Sequence, residues 1–314
     1  MKVVYHSTAG KGVLSHFSAL EERGIFVTSC AESDRERFKS LIADAEVLWH
    51  LLEPVTASVI ASAPRLQLIQ KIGVGVNTID LEAAQRNDVA VCNMPGTNSQ
   101  AVAEMTLLLM LTALRRVNHL DLATRTGKVQ GLTIDLQDES GEISGRTVGL
   151  VGYGAVPRRL APILIAMGAR VVYTCPRAKK GVVGEYLSLH ELLTVSDIVS
   201  LHVPLTASTK DLINEVAIKR MKSGAIIINT SRGGVIDERA LRQALADRCL
   251  AAAGLDVFAS EPLLPDDPLL ALDNVVVTPH VAYLTAETMV RSIRVAAENC
   301  RRLASQEKLL HRVV

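Results

Sequence analysis

Three charged residues, far apart in the 314-residue chain, each follow an apolar run of strand-like composition. Arg232 follows 225–229 in Thr230-Ser231-Arg232-Gly233-Gly234. Glu261 follows 251–257 and precedes Pro262, and His280 follows 275–278 in Thr278-Pro279-His280. If these runs lie in one parallel sheet, their carboxyl ends form the ligand crevice and the three side chains converge on it. The residue types suit hydride reduction of a 2-keto acid. A guanidinium fork grips a carboxylate and polarises a carbonyl. A histidine gives the carbonyl oxygen its proton near neutral pH, and a carboxylate beside it favours its charged form and so raises its pKa. Each residue alone has a plainer reading: a surface arginine, a solvated turn glutamate, a satisfied structural histidine. Their common position after strand ends singles out the set.

The hydride donor needs a cradle, and one stretch offers it. Residues 148–151 are an apolar run that breaks into Gly152-Tyr153-Gly154, after which 155–168 reads as a helix and 170–174 as a second strand. Strand, glycine turn, helix, strand is the unit that seats a dinucleotide pyrophosphate on a helix N-terminus. Gly152 permits the tight turn and Gly154 the close approach to phosphate. Pro157 stands where a third glycine is usual, which a first helical turn tolerates.

Patterning places these parts in two α/β domains. Strands are expected at 2–5, 47–52, 66–72 and 89–92, with helices at 16–23, 33–41, 81–86 and one opening at Pro54. Ser99 is expected to cap a long helix, 100–116, whose broad apolar face suggests burial between domains or subunits. Residues 118–145 read as irregular surface. Beyond the glycine turn come helices at 186–193, 213–221 and 238–247, strands at 198–203, 225–229, 251–257 and 275–278, and a closing helix at 285–303 that returns to the first domain. The expected fold is therefore α/β, two doubly wound parallel-sheet domains of Rossmann/flavodoxin-like type with the active site in the cleft between them. Residues 1–99 with 285–314 bind substrate, and 100–284 bind the dinucleotide. Closure about Ser99 and 282–285 would exclude water.

Bulk properties narrow the partners. The chain is 48% hydrophobic but 3% aromatic, so its cores are aliphatic, and a formal net charge of +1 offers nothing to nucleic acid or a membrane surface. The longest apolar stretch, 107–111, is far short of a span. Five cysteines at 30, 92, 175, 249 and 300 lack paired short spacing, which argues against zinc or disulfides and for a reducing, cytoplasmic setting. No leader-like apolar segment opens the chain. Trp49 and His50 end an early strand, facing either substrate or core. His202 ends another, lining the cofactor or supporting structure, and His119 and His190 read as surface or capping residues.

Together Gly73-Val74-Gly75-Val76-Asn77-Thr78-Ile79-Asp80, 93–98, 102–104, Gly152–Gly154, 202–206, 229–233, 254–258, Glu261-Pro262 and 278–280 resemble the D-isomer-specific 2-hydroxyacid dehydrogenases over nearly the whole chain. The resemblance implies a catalytic set of Arg232, Glu261 and His280. It implies that backbone N–H groups at Val74 and Gly75 bind the substrate carboxylate, alongside Arg232 and His280. Ala155 and Val156 would meet the pyrophosphate, Val203 and Pro204 the adenosine half, and Asp256 the nicotinamide carboxamide, with Thr230 also at the cofactor. A homodimer and a small 2-keto acid substrate, glyoxylate or hydroxypyruvate, follow by analogy, with no metal. One departure bears on the cofactor. An acidic residue after the second strand would accept from a ribose 2′-OH, but here Thr174 and Cys175 stand there, with Arg177, Lys179 and Lys180 just beyond. That favours NADP(H), with NAD(H) possible and a merely solvated basic loop the plainer reading. The alternative to an enzyme is a dinucleotide-sensing, corepressor-like protein on the same fold, against which the intact Arg–Glu–His set argues.

Overall fold

The computed structural model describes residues 1–130 and 140–314. Residues 131–139, part of the expected irregular stretch, lie outside the described residues. The chain divides into two compact units, Met1–Asn98 with Tyr283–Val314, and Ser99–Ala282.

The first unit alternates β1 (Lys2–His6), α1 (Lys11–Glu21), β2 (Phe26–Cys30), α2 (Arg35–Ile42), β3 (Val47–His50), α3 (Ala57–Ala61), β4 (Leu68–Lys71), α4 (Leu81–Arg86) and β5 (Ala90–Cys92). Its sheet has the order β2-β1-β3-β4-β5, every pairing parallel. One face carries a core of Val3, Tyr5, Val47, Trp49 and Leu68, the other of Val4, Leu48, Ile69, Phe38 and Ile60. Both faces are thus covered, as a parallel sheet requires.

The second unit opens with α5 (Ser99–Arg115) and α6 (Val117–Arg125). Then follow β6 (Thr147–Val151), α7 (Ala155–Ala166), β7 (Arg170–Thr174), β8 (Glu185–Tyr186), α8 (Leu189–Val195), β9 (Ile198–Leu201), α9 (Glu215–Ile218), β10 (Ala225–Asn229), α10 (Glu238–Ala246), β11 (Leu250–Leu255) and β12 (Val275–Val277). The sheet order is β12-β11-β10-β9-β6-β7-β8, again parallel throughout. Chain direction across the sheet reverses at β6, so the switch point, and with it the expected ligand crevice, lies at the end of β6 and β9. The last helix, α11 (Ala286–Ala304), belongs to the first unit. It is capped by Thr285, whose hydroxyl accepts from Thr288 N–H, and it packs Met289, Ile293, Ala296 and Ala297 on that sheet.

Several elements differ from the sequence expectation. β2 carries no clear pattern because Phe26 is exposed and only Cys30 is buried. Helix α1 starts at Lys11 rather than 16, and α3 starts at Ala57 on a Thr56 cap, leaving Pro54 outside. Ser99 lies within α5 and is buried, so it is not the cap. Helix α6 occupies part of the stretch expected to be irregular. Tyr186 pairs in β8, and α8 begins three residues later on a capping box formed by Ser188 and Glu191. Helix α9 covers four residues where nine were expected. The apolar face of α5 packs on its own unit's sheet, Leu109, Met110 and Ala113 lying against Ile226 and Ile228. Gly254 permits this approach: a Cβ there would lie 3.0 Å from that of Leu109.

Candidate active site

The glycine turn sits at the switch point and is held from both sides. Gly152 adopts φ +97°, and its N–H donates to the Thr174 carbonyl at 2.8 Å, tying the end of β6 to the end of β7. A Cβ at position 152 would lie 2.5 Å from the His202 carbonyl oxygen. Only glycine meets both conditions. Gly154 caps α7 without a side-chain hydrogen bond, and a Cβ there would meet nothing within 4 Å. The first N–H groups of α7 are therefore available to an anion, as a pyrophosphate cradle requires. Ala155 is exposed here and Val156 partly buried, while Val203 and Pro204 follow β9 with Pro204 exposed. Thr230, after β10, bonds Thr106 of α5 at 2.9 Å through its hydroxyl.

Two strands further on, the three charged residues come together. Asn229, the last residue of β10, is fully buried and shapes the loop after it. Its amide donates to the Arg232 carbonyl at 2.9 Å, and its oxygen accepts from the Ser231 N–H at 3.0 Å and hydroxyl at 2.8 Å. Gly233 then lets this loop lie on Phe258 and Ala259, whose backbone any Cβ would strike. The same segment bears Glu261. Burial lowers the pKa of Arg232 against the opposing pull of the Glu261 charge, so these two groups sense each other. The Arg232 guanidinium also donates to the Ser231 carbonyl at 2.6 Å.

Glu261 is clamped at both oxygens. Oε1 accepts from Phe258 N–H at 2.9 Å, and Oε2 lies 2.6 Å from Nδ1 of His280. Burial works against its ionisation, but the bonds from His280 and Phe258 and the charges of His280 and Arg232 outweigh burial, holding its carboxyl below the usual range. A charged Glu261 fixes the ring so that Nδ1 is the protonated nitrogen facing it.

His280 itself stands at φ +54°, a left-handed conformation that a non-glycine residue keeps only where its surroundings enforce it. Asp256 enforces it. Its carbonyl accepts from His280 N–H at 2.8 Å, and its carboxylate accepts from the Thr278 hydroxyl at 2.6 Å and from Val281 and Ala282 N–H at 2.9 Å each. The residue is fully buried. These acceptor bonds brace the loop that carries His280.

The remaining candidates separate cleanly. In the first unit Val74 is exposed, and the loop at Val74 and Gly75 is braced by Asn93, which donates to the Val74 carbonyl at 2.9 Å, and by Met94 N–H on the Gly73 carbonyl at 2.8 Å. Trp49 and His50 are fully buried core residues. His50 bonds the Thr78 hydroxyl at 2.9 Å, and burial pushes its pKa down to about 2, with Lys71 and His6 adding to the effect. His202, just after β9, is partly buried. Its ring bonds Ser200 at 3.0 Å, and burial lowers its pKa to about 3. His119 lies partly buried on α6 and His190 exposed on α8. At the end of β7, Thr174 and Cys175 are partly buried and Arg177, Lys179 and Lys180 exposed. Among the described residues no cluster of His, Cys, Asp or Glu is arranged to hold a metal, and no helix is long and apolar enough to cross a membrane. Sequence reasoning missed Asn229 and Gly233 as site residues. A polar residue closing an apolar run, and the glycine beside Arg232, were the available signals.

A glycine turn at a switch point, with an Arg–Glu–His cluster on neighbouring strand ends, defines a dinucleotide-dependent oxidoreductase fold. The family model "D-isomer specific 2-hydroxyacid dehydrogenase, NAD binding domain" matches residues 107–282. A glyoxylate reductase of Aeropyrum pernix is 40% identical over 272 residues, covering 84% of this chain and 81% of its own. A hydroxypyruvate reductase of Thermotoga maritima is 36% identical over 264 residues, covering 82% of this chain and 84% of its own. The crystal structure of the TT0316 protein from Thermus thermophilus superposes with a TM-score of 0.90 at 36% identity, covering all of both chains. The chain belongs to the D-isomer-specific 2-hydroxyacid dehydrogenase family, and a nicotinamide dinucleotide is its cofactor.

Proposed function

We propose that this protein reduces a small 2-keto acid, glyoxylate or hydroxypyruvate, to the D-2-hydroxy acid, with NADPH preferred over NADH. The observation that carries the chemistry is the 2.6 Å pairing of Glu261 with His280, near the partly buried Arg232. When bound, the cofactor supplies a hydride from its nicotinamide ring. Gly152, Gly154, Ala155 and Val156 bind its pyrophosphate, Val203 and Pro204 lie beside its adenosine half, and Thr230 also meets the cofactor. Arg232 orients the keto acid by its carboxylate and draws electron density towards the carbonyl oxygen. From the first unit, the N–H groups at Val74 and Gly75 are assigned a carboxylate-binding role. His280 donates its proton from Nε2 to the developing alkoxide, and Glu261 holds the ring aimed through Nδ1. In oxidation the same nitrogen takes the hydroxyl proton.

The cofactor preference rests on the end of β7. Thr174 and Cys175 stand where a ribose-binding acid would repel a 2′-phosphate, and Arg177, Lys179 and Lys180 lie exposed beyond them. Glyoxylate, hydroxypyruvate, pyruvate and phenylpyruvate, each with NADPH and NADH, test both parts by nicotinamide absorbance. Turnover of glyoxylate or hydroxypyruvate with higher kcat/KM for NADPH is expected. No turnover with any acid refutes the reductase, and a clear NADH preference refutes the cofactor assignment. The same reading makes the protein a cytoplasmic homodimer. Exposed Leu108 of α5 and Val117 and Leu122 of α6 supply apolar surface for a second copy. A monomeric mass by light scattering would contradict it.

A further inference from the structure

Three of the chain's five tyrosines meet at the cationic loop. Tyr153 lies inside the glycine turn, Tyr173 near the end of β7, and Tyr186 on β8. Their rings form a row, Tyr153 to Tyr173 at 4.3 Å and Tyr173 to Tyr186 at 5.6 Å between centroids. Each hydroxyl reaches the backbone of the segment joining β7 to β8. Tyr153 donates to the Val183 carbonyl at 2.6 Å. Tyr173 accepts from Lys179 N–H at 3.0 Å and donates to the Lys179 carbonyl at 3.3 Å. Tyr186 donates to the Cys175 carbonyl at 3.3 Å, and the Cys175 thiol donates to the Arg177 carbonyl at 2.9 Å. Tyr153 and Tyr173 are buried, so two of these anchors come from the rigid floor of the dinucleotide site.

A ten-residue connection bearing Arg177, Lys179 and Lys180 would ordinarily sample many shapes, and exposed cations on a mobile loop bind an anion weakly because ordering them costs entropy. Here the hydroxyls fix the backbone at both ends and in the middle without touching the charged side chains. Arg158, in the first turns of α7, lies 6.0 Å from the Tyr153 ring centre and adds a fourth cation beside the same floor.

We infer that Tyr173, assisted by Tyr153 and Tyr186, is a positioning residue for cofactor choice. It holds the 175–184 loop in the shape that presents its cations to a 2′-phosphomonoester. This rests on the NADPH reading above. Tyr173 acts through the loop and does not touch the reacting atoms.

The test uses the full-length enzyme and its Y173F variant, which keeps the ring and loses the hydroxyl. KM and kcat are measured with NADPH and NADH, and inhibition constants with 2′,5′-ADP and 5′-AMP competing against cofactor. Losing the bonds to Lys179 should raise KM for NADPH and the inhibition constant of 2′,5′-ADP about fivefold, the scale of one neutral hydrogen bond. Values for NADH and 5′-AMP, and kcat with either cofactor, should change less than about twofold on the same reasoning. A purely structural loss would weaken both cofactors alike. If Y173F fails to fold, Y186F carries the same test, because Tyr186 is 43% exposed and tolerates loss of its hydroxyl. Equal effects on the two cofactors, or none on either, overturn the inference. A wild-type enzyme that binds 2′,5′-ADP no better than 5′-AMP overturns instead the NADPH reading beneath it.

Discussion

Replacing Glu261 by glutamine removes a charge and keeps the shape, so it isolates what the carboxylate does for His280. The two side chains meet at 2.6 Å, with the imidazole 18% and the carboxylate 31% exposed. A hydrogen bond between charged partners contributes about 1.5–3 kcal/mol, and partial exposure puts this pair at the lower end. At about 1.4 kcal/mol per factor of ten, losing that bond corresponds to about tenfold or more in rate. Glu261 is held ionised below its ordinary range, against its burial, by the bonds from His280 and Phe258 and by the charges of His280 and Arg232. The pairing is therefore present at neutral pH and is lost only as pH falls through the lowered carboxyl value. In E261Q, kcat for keto-acid reduction should fall about tenfold or more, with the dissociation constant of the cofactor changed less than about twofold. Steady-state kinetics at saturating cofactor and a cofactor titration measure this. An unchanged kcat, or a loss of cofactor affinity as large as the loss of rate, would refute the argument.

H280A should lose about 100-fold or more in kcat with only a modest change in cofactor affinity, and retained turnover would remove His280 from its role. G152A must hold an alanine at φ +97° with its Cβ 2.5 Å from a carbonyl oxygen. That strain of about 1–2 kcal/mol or more should weaken cofactor binding at least about tenfold, and an unchanged dissociation constant would show that the turn can yield. His50 and His202 are neutral in the fold, with pKa values lowered to about 2 and about 3 from 6.5. Because protonation below 6.5 favours the unfolded chain, stability is full above that pH and falls as pH drops towards the folded values. The slope is about 1.4 kcal/mol per unit for each histidine. H50Q should flatten this loss in urea titrations at about pH 7, 6 and 5, and an unaltered slope would argue against His50 as a source.

What could be read in the sequence was what burial writes into local pattern. β6, β10 and β11 lie inside a sheet covered on both faces, so they appear as continuous apolar runs. β2 could not be read because only its last residue is buried, and two-residue β8 exists only by pairing with β7. Helix α6 is hidden for a related reason: only Ala123 is buried, so its solvent-facing residues look like loop. The catalytic types were legible because Arg232, Glu261 and His280 stand directly after such runs. Asp256 stands after one too, and its carboxylate binds the Thr278 hydroxyl and the backbone of the His280 turn. Position alone does not say whether a polar group faces a ligand or the backbone of its own loop, since that depends on contacts more than about twenty residues away in the chain.

Those distant contacts follow one rule in the second unit, and it explains why a site built on loops can be rigid. Each site loop is tied by a residue at the end of its own strand or of the strand paired with it. Gly152 follows β6 and bonds β7, Asn229 ends β10 and bonds the Arg232 turn, and Asp256 follows β11 and bonds the His280 turn. Each tie starts from a strand end fixed by the sheet, so positional error does not accumulate along the loop. The left-handed His280 shows this most sharply. Its conformation costs on the order of 1–3 kcal/mol in isolation, and four hydrogen bonds to Asp256 offset that. Removing the Asp256 carboxylate takes away three of those four bonds and releases the loop, so the ring loses its aim at substrate.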